Sequence, residues 1–318
     1  MRTVLAVDGG NSKTDVALVQ EDGSILGVER GEQASPEHLG IDGSLAVIAR
    51  LSERLGGAAD VAVLLLAGVD FDDQEAAYRA AAEQRSLAAR VIVGNDTFAV
   101  LRGGTERGWG VAVTCGAGIN CVGIAPDGSR VRFPSLGTVS GDWGGGDDVG
   151  LAAVEAAARS EDGRGPRTSL ERLVPEHFGL STPVELARAV VAGRIAETEL
   201  RTLAPLVFAA AREDAVARAI VDRLADEVVT MAVTALRRLD LLATPAEVVL
   251  GGSLLQSRQE RLLARVEARL RAEAPHASPH VADLPPVLGA AFVGLDELAA
   301  DPVAYTRLRD ELGAAIAA

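Results

Sequence analysis

The chain of 318 residues has few cysteines, few aromatic residues and no long apolar run. Its two cysteines, Cys115 and Cys121, cannot build a disulfide framework, and we interpret them as reduced thiols at strand ends. Aromatic residues make up only 3% of the chain, so we expect cores of Ala, Val and Leu. No apolar stretch approaches the roughly 18 residues of a membrane-spanning helix and no signal peptide is recognisable, which favours a soluble, cytoplasmic protein.

Basic residues are outnumbered, since 31 Lys and Arg face 45 Asp and Glu, and the formal net charge is -14. Such a surface repels nucleic acid and anionic membranes, so we expect neither as a partner. A small anionic ligand is not excluded, since local N–H groups and a metal ion can bind it. The length and the 48% of hydrophobic residues suffice for two domains with their own cores.

What the sequence does contain is a duplicated glycine-rich turn. Residues 4–19 read as a strand, a polar glycine turn and a returning strand, and residues 110–125 repeat the pattern, with Gly116 lying 106 residues after Gly10. A glycine turn lets backbone N–H groups converge without interference from Cβ atoms, which suits a phosphate group. The duplication predicts a nucleotide held between two related domains.

The order of the elements indicates an α/β fold. The first hundred residues alternate as βββαβα, which predicts a mostly parallel sheet covered by helices. Strands near 110–125 repeat the theme, and a helix-rich stretch at 146–243 precedes a buried strand that begins at Glu247. Apolar residues recur at helical spacing along 214–240 and predict a helix packed on the core.

Two polar segments are predicted to be loops, at residues 161–169 and 274–286. His276 and His280 lie in the second of them with the spacing of metal ligands on a helix. Pro275 and Pro279 oppose that helix, so we interpret both histidines as exposed loop residues.

A possible catalytic carboxylate follows the apolar strand VIV in the segment GNDTF, residues 94–98. Asp96 would lie at the carboxyl end of a parallel strand, where open α/β sheets place their ligands, and it could accept a proton from a substrate hydroxyl. The structural alternative is that Asn95 or Asp96 caps the helix starting at Thr97, and the tetrapeptide alone leaves the two interpretations nearly even.

Another strand-to-helix turn lies in VVLGGSLLQ, residues 248–256. Gly251 and Gly252 could let a flat purine ring lie against the backbone, and Ser253 could cap the helix. A tight turn that serves packing alone is the alternative.

Taken in order, DGGNSKTD, GNDT, TCGAGIN and VLGGSLL resemble the sugar kinase, heat-shock protein and actin superfamily of ATPases. Within it the chain resembles, over essentially its whole length, the BadF/BadG/BcrA/BcrD ATPase family and its N-acetylglucosamine kinase branch. The resemblance implies two duplicated ribonuclease H-like domains with a nucleotide in the interdomain cleft. These would be residues 1–110, which a helix at 300–318 joins, and residues 111–299, with the helical insertion at about 146–243.

The same resemblance implies site residues, with ATP and Mg²⁺ as cofactors, a small sugar as substrate and a homodimer as the assembly. Asp96 would be the catalytic base. Phosphate and adenosine contacts are implied for Asp8, Gly9, Gly10, Asn11, Ser12, Lys13, Thr14, Gly116, Ala117, Gly118, Gly251, Gly252 and Ser253, with Asp8 holding Mg²⁺, as we expect through water. Sugar contacts are implied for Glu37, His38, Gly68, Asn95, Asn120 and Asp142.

Three departures from the family pattern stand out. Ala117 and Ile119 replace hydroxyl residues in the second phosphate loop, which removes two phosphate contacts. Glu37 replaces an Asn and would tolerate an amine or exclude an anionic substituent. Trp143 in SGDWGGG replaces the glutamate of GDEG, as a platform for a sugar face or as a plug in the core.

We therefore predict an ATP-dependent kinase that phosphorylates a hexose or amino sugar, N-acetylglucosamine or glucosamine, at the 6-hydroxyl. One alternative is an ATP-hydrolysing activator of a CoA dehydratase or reductase with an iron–sulfur cluster bridging two subunits. Cluster ligation by Cys115 and Cys121 would collide with nucleotide binding, which opposes it. A non-catalytic sugar- or nucleotide-binding protein, a sugar-sensing repressor and an actin-like assembly protein are the others; the acidic charge and the scarcity of cysteines oppose a repressor.

Overall fold

The computed structural model describes residues 1–317, with side chains described as far as Leu312. Strands and helices alternate, which confirms the predicted α/β class. The strands are β1 (Thr3–Gly9), β2 (Thr14–Gln20), β3 (Ile25–Gly31), β4 (Ala59–Leu66), β5 (Ala88–Asn95), β6 (Gly110–Cys115), β7 (Ile119–Ile124), β8 (Arg130–Arg132), β9 (Glu247–Gly251) and β10 (Ser278–Val281). The helices are α1 (Pro36–Arg54), α2 (Asp72–Gln84), α3 (Thr97–Gly104), α4 (Gly145–Glu161), α5 (Leu170–His177), α6 (Pro183–Val191), α7 (Ala204–Ala210), α8 (Ala215–Arg238), α9 (Ser253–Gln256), α10 (Glu260–Glu273), α11 (Pro286–Glu297) and α12 (Pro302–Ala317).

The first sheet is mixed and has the strand order β3-β2-β1-β4-β5. The meander β1–β2–β3 is antiparallel, whereas β4 runs parallel to β1 and β5 runs parallel to β4. Gly9 is level with Leu66, and Leu66 is level with Asn95. The carboxyl ends of β1, β4 and β5 therefore meet at one edge of the sheet, and the loops after them share that edge.

The core beside this sheet is aliphatic, as the composition predicts. Strands β1, β2 and β4 are buried along nearly their whole length. Among the side chains packed there, Leu5, Leu45, Ile48 and Leu64 are fully buried. Tyr78 is the aromatic residue in this cluster, and its hydroxyl is hydrogen-bonded to Ser44 Oγ at 2.6 Å.

The second sheet has the strand order β10-β9-β6-β7-β8, with β10 parallel to β9 and β8 antiparallel to β7. Helices α4 to α8 occupy most of the chain between β8 and β9, which confirms the predicted helix-rich stretch. Ile220, Leu224, Val228 and Met231 of α8 are buried, so the apolar face predicted for 214–240 packs in the interior.

Two local predictions are wrong. The segment 274–286 contains β10, which places partly buried His280 in a strand, although His276 is exposed. A proline-containing strand is tolerated because β10 is at the sheet edge. In addition, α1 begins at Pro36 rather than near residue 42, and Gly40, with φ of 67°, kinks the helix after its first turn.

The chain divides into two compact units. The first comprises Met1–Ala112, Val122–Pro134 and the chain from Ala282 onward, and the second comprises Val113–Cys121 and Ser135–Val281. The domain boundary at residues 110 and 111 stays a prediction. Across residues 1–317 no helix is both long and apolar enough to cross a membrane.

Candidate active site

The carboxyl edge of the first sheet carries a cluster of acidic side chains. Backbone hydrogen bonds fix this edge, since Ala67 N donates to Gly9 O at 2.8 Å and Asp96 N donates to Leu66 O at 3.3 Å. Asp8 is the next-to-last residue of β1, Asp70 lies in the loop between β4 and α2, and Asp96 directly follows β5. Three carboxylates from three neighbouring strands thus share one edge.

Asp8 is half-buried, and its environment disfavours a negative charge. Burial, followed by the charges of Asp96 and Asp15, raises the pKa of Asp8 to about 8, although Lys13 lowers it. A carboxylate in this setting is stabilised by a cation, because a positive ion offsets both the desolvation and the repulsion.

Asp96 and its neighbour Asn95 have different surroundings. Asn95 is buried, its Oδ1 accepts a hydrogen bond from Thr97 N at 2.9 Å and its Nδ2 donates to Asp70 Oδ1 at 2.7 Å. Asn95 thus caps α3, as the structural alternative proposed. Asp96 directly precedes α3 with a helical backbone (φ −60°, ψ −26°), and its side chain does not cap the amides of the following turn. Burial raises its pKa to about 6, and hydrogen bonds from Thr97 oppose the rise.

Asp70 was not among the predicted site residues, although Gly68, two residues earlier in the loop after β4, was. Burial, then the charges of Asp96 and Glu37, raise its pKa to about 6, while Arg132 and Asn95 lower it. The signal that could have found it is its position, because a loop after a central parallel strand opens onto the ligand edge of such a sheet.

The predicted sugar segment packs against this same loop. Ser35 Oγ donates to Ala67 O at 3.1 Å, and Glu37 and His38 are exposed on the first turn of α1. Gly68 has φ of 79°, and a Cβ built on it would lie 2.9 Å from the Cβ of Glu37. Glu37 and Gly68 are therefore in close contact, and Glu37 lies near enough to Asp70 for its charge to act on that carboxyl.

Some polar groups of the first glycine turn are bonded to neighbouring protein groups. Gly10 N closes the turn by donating to Lys13 O at 2.9 Å, while Asn11 and Ser12 are exposed. Lys13 Nζ contacts Asp15 Oδ2 at 3.0 Å, and Arg30 also pairs with this buried carboxylate. Lys13 thus has an internal partner that the sequence did not reveal.

Thr14 is fully buried, and its hydroxyl has no hydrogen-bond partner among the described residues. It pairs with Gly9 across the β1–β2 hairpin, next to Asp8. A buried hydroxyl without a partner is costly, so a ligand oxygen at this turn would compensate it.

The second glycine turn is hydrogen-bonded within itself and to the start of α4. Gly116 N donates to Gly118 O at 3.0 Å, and the amides of Gly146 and Asp147 donate to Gly116 O and Ala117 O. A Cβ on Gly145 would lie 2.2 Å from Ala117 O. The turn therefore packs directly on the N-terminus of α4, and the N–H groups of Ala117 and Gly118 remain as its other donors.

Gly252 makes a second close approach to this turn. Its φ is 83°, and a Cβ on it would lie 2.5 Å from the carbonyl of Cys115. The predicted cap by Ser253 is wrong, because Gly252 is the N-cap of α9 and Ser253 is its first helical residue. Gly251 is buried at the end of β9, so this glycine pair brings β9 and β6 together beside the second turn.

A comparison with protein families shows which family the chain matches: the model of the BadF/BadG/BcrA/BcrD ATPase family covers residues 5–294. The chain belongs to this family. An N-acetylmuramic acid/N-acetylglucosamine kinase of Clostridium acetobutylicum is 25% identical over 236 residues, covering 71% of this chain and 77% of the relative. An N-acetyl-D-glucosamine kinase of Dictyostelium discoideum is 24% identical over 198 residues, covering 57% of this chain and 62% of the relative.

Solved structures show the fold of this BadF/BadG/BcrA/BcrD family member. A proposed N-acetylglucosamine kinase from Chromobacterium violaceum matches with a TM-score of 0.69 at 23% identity, covering 92% of this chain and 99% of that one. A ROK family glucokinase from Streptomyces griseus, in complex with glucose and AMPPNP, matches with a TM-score of 0.52 at 19% identity, covering 92% of this chain and 98% of that one. The two five-stranded mixed sheets are thus those of the two-domain actin-like ATPase fold, as the sequence predicts.

The remaining predicted sugar residues of this family member lie in the second unit. Asn120 Oδ1 accepts a hydrogen bond from Cys121 N at 2.6 Å, and Asp142 is hydrogen-bonded to Ser140 Oγ. Ile119, where hydroxyl residues were expected, is only 6% exposed and meets Gly144. Its apolar side chain therefore anchors the loop before α4.

Both cysteines of this family member are free and buried. Burial raises the pKa of Cys115 to about 12 and raises that of Cys121 as well, so both thiols are protonated at neutral pH. Thiols in this state are poor cluster ligands, which does not favour the iron–sulfur alternative.

Proposed function

We propose that the protein is a sugar kinase that transfers the γ-phosphoryl group of ATP to a hydroxyl of an amino sugar. The observation that carries this proposal is the meeting of Asp8, Asp70 and Asp96 at one sheet edge in a member of this ATPase family. The names of both curated relatives, kinases of N-acetylated amino sugars, support the same reaction.

Asp96 is the proposed catalytic base. Its neighbour Asn95 accepts the Thr97 amide, and the Asp96 carboxylate, although Thr97 also donates to it, keeps acceptor capacity for a substrate hydroxyl. With a pKa of about 6, this carboxylate is mostly ionised at neutral pH, yet basic enough to take a proton as the hydroxyl oxygen attacks phosphorus. Its side chain would also orient that hydroxyl.

Mg²⁺ fits the donors at Asp8. A half-buried carboxylate whose pKa is raised to about 8 by burial and neighbouring carboxylates is the environment that a hard cation stabilises. Within the described part of the chain no three His, Cys, Asp or Glu side chains are arranged to hold a metal by themselves. Mg²⁺ typically uses one or two carboxylates with water and phosphate oxygens, so Asp8 would hold it with ATP, and the ion would neutralise phosphate charge.

The nucleotide contacts are assigned unit by unit. On the first unit, the turn from Gly10 to Lys13 and the unpaired Thr14 hydroxyl would bind phosphate oxygens. On the second unit, the N–H groups of Ala117 and Gly118 would do the same, and the glycine pair at Gly251 would accommodate adenosine. Because Lys13 already pairs with Asp15, we expect it to contribute less than the backbone does.

The choice of sugar follows from the acidic wall beside Asp96. Glu37, Asp70 and Asp96 share a negative potential that repels an anionic substituent on the sugar. Hydroxyl, amide and amine groups of a sugar can instead donate hydrogen bonds to these carboxylates. We therefore infer N-acetylglucosamine or glucosamine as substrate, with the primary 6-hydroxyl, the least hindered one, directed to Asp96.

The test replaces the proposed base. Asp96→Asn keeps the shape of the side chain but cannot take a proton, so sugar-dependent ADP release should fall by about a thousandfold or more, within the range for a lost general base and its positioning. ATP binding, measured by calorimetry with a non-hydrolysable analogue, should change less than about threefold.

Asp73→Asn is the matched control, since Asp73 is an exposed carboxylate in the first turn of α2. It should keep the wild-type rate. Retention of more than about a tenth of the rate in Asp96→Asn would remove the base assignment, and equal losses in the two variants would show that the charge change alone is responsible.

A further inference from the structure

The indole of Trp143 is the centre of an arrangement in the second unit that the sequence did not reveal. Trp143 lies just before α4, and the guanidinium of Arg223, from α8, lies over its ring at 3.9 Å from Arg223 Cζ to the ring centroid. A cation this close to an indole face is favourable by about 0.5–2 kcal/mol, and Trp is the best aromatic partner.

Arg223 also pairs with a carboxylate of its own helix. Its Nε lies 4.0 Å from Glu227 Oε1, one turn along α8. Burial raises the pKa of Glu227 and Arg223 opposes the rise, while the charges of Asp226, Asp142 and Asp148 add to it in smaller steps. Arg223 is therefore the counter-charge of an otherwise acidic group of side chains around Trp143.

The residues before and after Trp143 in its loop are both hydrogen-bonded. Asp142 is hydrogen-bonded to Ser140 Oγ, and Gly144 N donates to Asp148 Oδ2 at 2.8 Å. Backbone and ring are thus each held by a separate partner. Trp143 nevertheless remains partly exposed, so the guanidinium covers the indole without burying it as a core residue would be buried.

A partly exposed, immobilised indole beside a carboxylate has the chemistry of a saccharide subsite. A pyranose ring presents hydroxyl groups at its rim and C–H bonds on its faces. A carboxylate accepts hydrogen bonds from the rim, and a rigid aromatic surface covers an apolar face at little cost in conformational entropy.

We propose that Arg223 is a positioning residue that holds Trp143 as the platform for one face of the sugar ring, beside Asp142. This inference rests on the proposed function, because it assigns a sugar to this surface. In this chain the platform takes the place of the glutamate found in the resembling GDEG element, so contact with an apolar face replaces a polar contact to the sugar.

The first experiment compares sugar and ATP kinetics. Arg223→Gln should raise the KM for N-acetylglucosamine or glucosamine about five- to tenfold, which corresponds to about 1 kcal/mol, with the KM for ATP changed less than twofold. Arg223→Lys, which keeps a cation near the ring, should restore most of the sugar affinity. A merely structural role would lower kcat or stability without this separation.

Arg261→Gln is the matched control, because Arg261 pairs with Asp222 of the same helix α8 and its loss makes the same change in charge. It should keep the wild-type KM for the sugar. Equal effects of Arg223→Gln and Arg261→Gln on that KM would overturn the proposal.

The second experiment observes the platform without turnover. The chain contains two tryptophans, so Trp109→Phe leaves Trp143 as the sole indole. Adding sugar should change its fluorescence, and the double variant Trp109→Phe/Arg223→Gln should need about five- to tenfold more sugar for the same change.

The outcomes separate the two proposals. A fluorescence change without sugar-dependent ADP release would refute the kinase and keep the platform. Sugar-dependent ADP release without any fluorescence change at saturating sugar would refute the platform and keep the kinase.

Discussion

Asn95 and Asp96 show how adjacent polar residues acquire different tasks. The sequence left the capping of α3 open between them, because both side chains are good helix caps. The backbone decides, since Asp96 already has helical φ and ψ while the Asn95 oxygen reaches Thr97 N at 2.9 Å. The packing of β5 and α3 sets these backbone dihedral angles, and no local sequence pattern predicts them.

The pairing of Lys13 is a second feature that the sequence could not supply. Its ammonium and the Arg30 guanidinium meet on Asp15, whose side chain is 2% exposed. Asp15 and Arg30 lie opposite each other on β2 and β3. The register of β2 against β3 creates this contact, and the sequence analysis did not predict that register.

Gly252 should be far less tolerant of substitution than its conformation alone implies. Gly252 and Gly128 have nearly the same φ, 83° and 85°, but a Cβ on Gly252 would lie 2.5 Å from the Cys115 backbone, whereas Gly128 has open space. Gly128→Ala should cost about 1 kcal/mol, the strain of a left-handed residue. Gly252→Ala should cost about 2–4 kcal/mol, because displacement of the β6 backbone is added.

Urea unfolding of the two variants measures this difference. A parallel loss of ATP affinity is expected for Gly252→Ala alone, since the displaced backbone leads into the second glycine turn. Equal free energies of unfolding for the two variants would show that the close approach to Cys115 is unimportant.

At the scale of elements, α8 depends on the carboxylate at its start. Asp214 Oδ1 accepts from Val216 N and Ala217 N, and Asp214 Oδ2 accepts from Thr168 Oγ1 and from the amide and hydroxyl of Ser169. This carboxylate caps the helix and ties it to the loop before α5. Burial alone would raise its pKa, but these hydrogen bonds hold the pKa of Asp214 well below the usual value of 3.8.

Asp214→Ala should lower the free energy of unfolding by about 1–2 kcal/mol at pH 7. The pKa is lower in the folded than in the unfolded state, so the carboxylate stabilises the fold above its unfolded pKa of 3.8 and loses this effect as pH falls below it. The difference between wild type and variant should therefore shrink below about pH 4, as urea titrations at several pH values would show.

Asp73→Ala serves as the control at the start of α2, where Asp73 is exposed. It should change stability by less than about 0.5 kcal/mol. A wild-type free energy of unfolding for Asp214→Ala would mean that the capping network does not stabilise α8.

Elements followed from the sequence where a local pattern specifies them. The β1–β2 hairpin has apolar strands around a glycine turn, and α8 has a long apolar face, and both were predicted. Strand β10 was not, because Pro279 and the neighbouring small residues read as a loop. Its existence depends on pairing with β9, about thirty residues earlier in the chain, and long-range pairing leaves no local signal.

At the scale of the whole molecule, the duplicated turn predicted a two-domain ATPase, and the family match and the solved structures confirm that architecture. The edge of the first sheet was predictable to the same degree, since Asp8 and Asp96 lie at the carboxyl ends of parallel strands of one sheet. Asp70 could have been found in the same way, from its place in the loop after a central parallel strand. The pairing of Asp15 and the stacking of Arg223 on Trp143 were not predictable, because each joins residues that are distant along the chain.

Sugar-dependent phosphoryl transfer is the central claim, and one measurement tests it most directly. ADP release is followed with Mg·ATP and, in turn, glucosamine, N-acetylglucosamine, N-acetylmannosamine, N-acetylmuramic acid, glucose or no sugar, and products are identified by phosphorus NMR. We expect N-acetylglucosamine or glucosamine to give the fastest release, with an equimolar amount of sugar phosphorylated at the 6-hydroxyl. The same slow release of ADP with every sugar as without sugar would contradict the account.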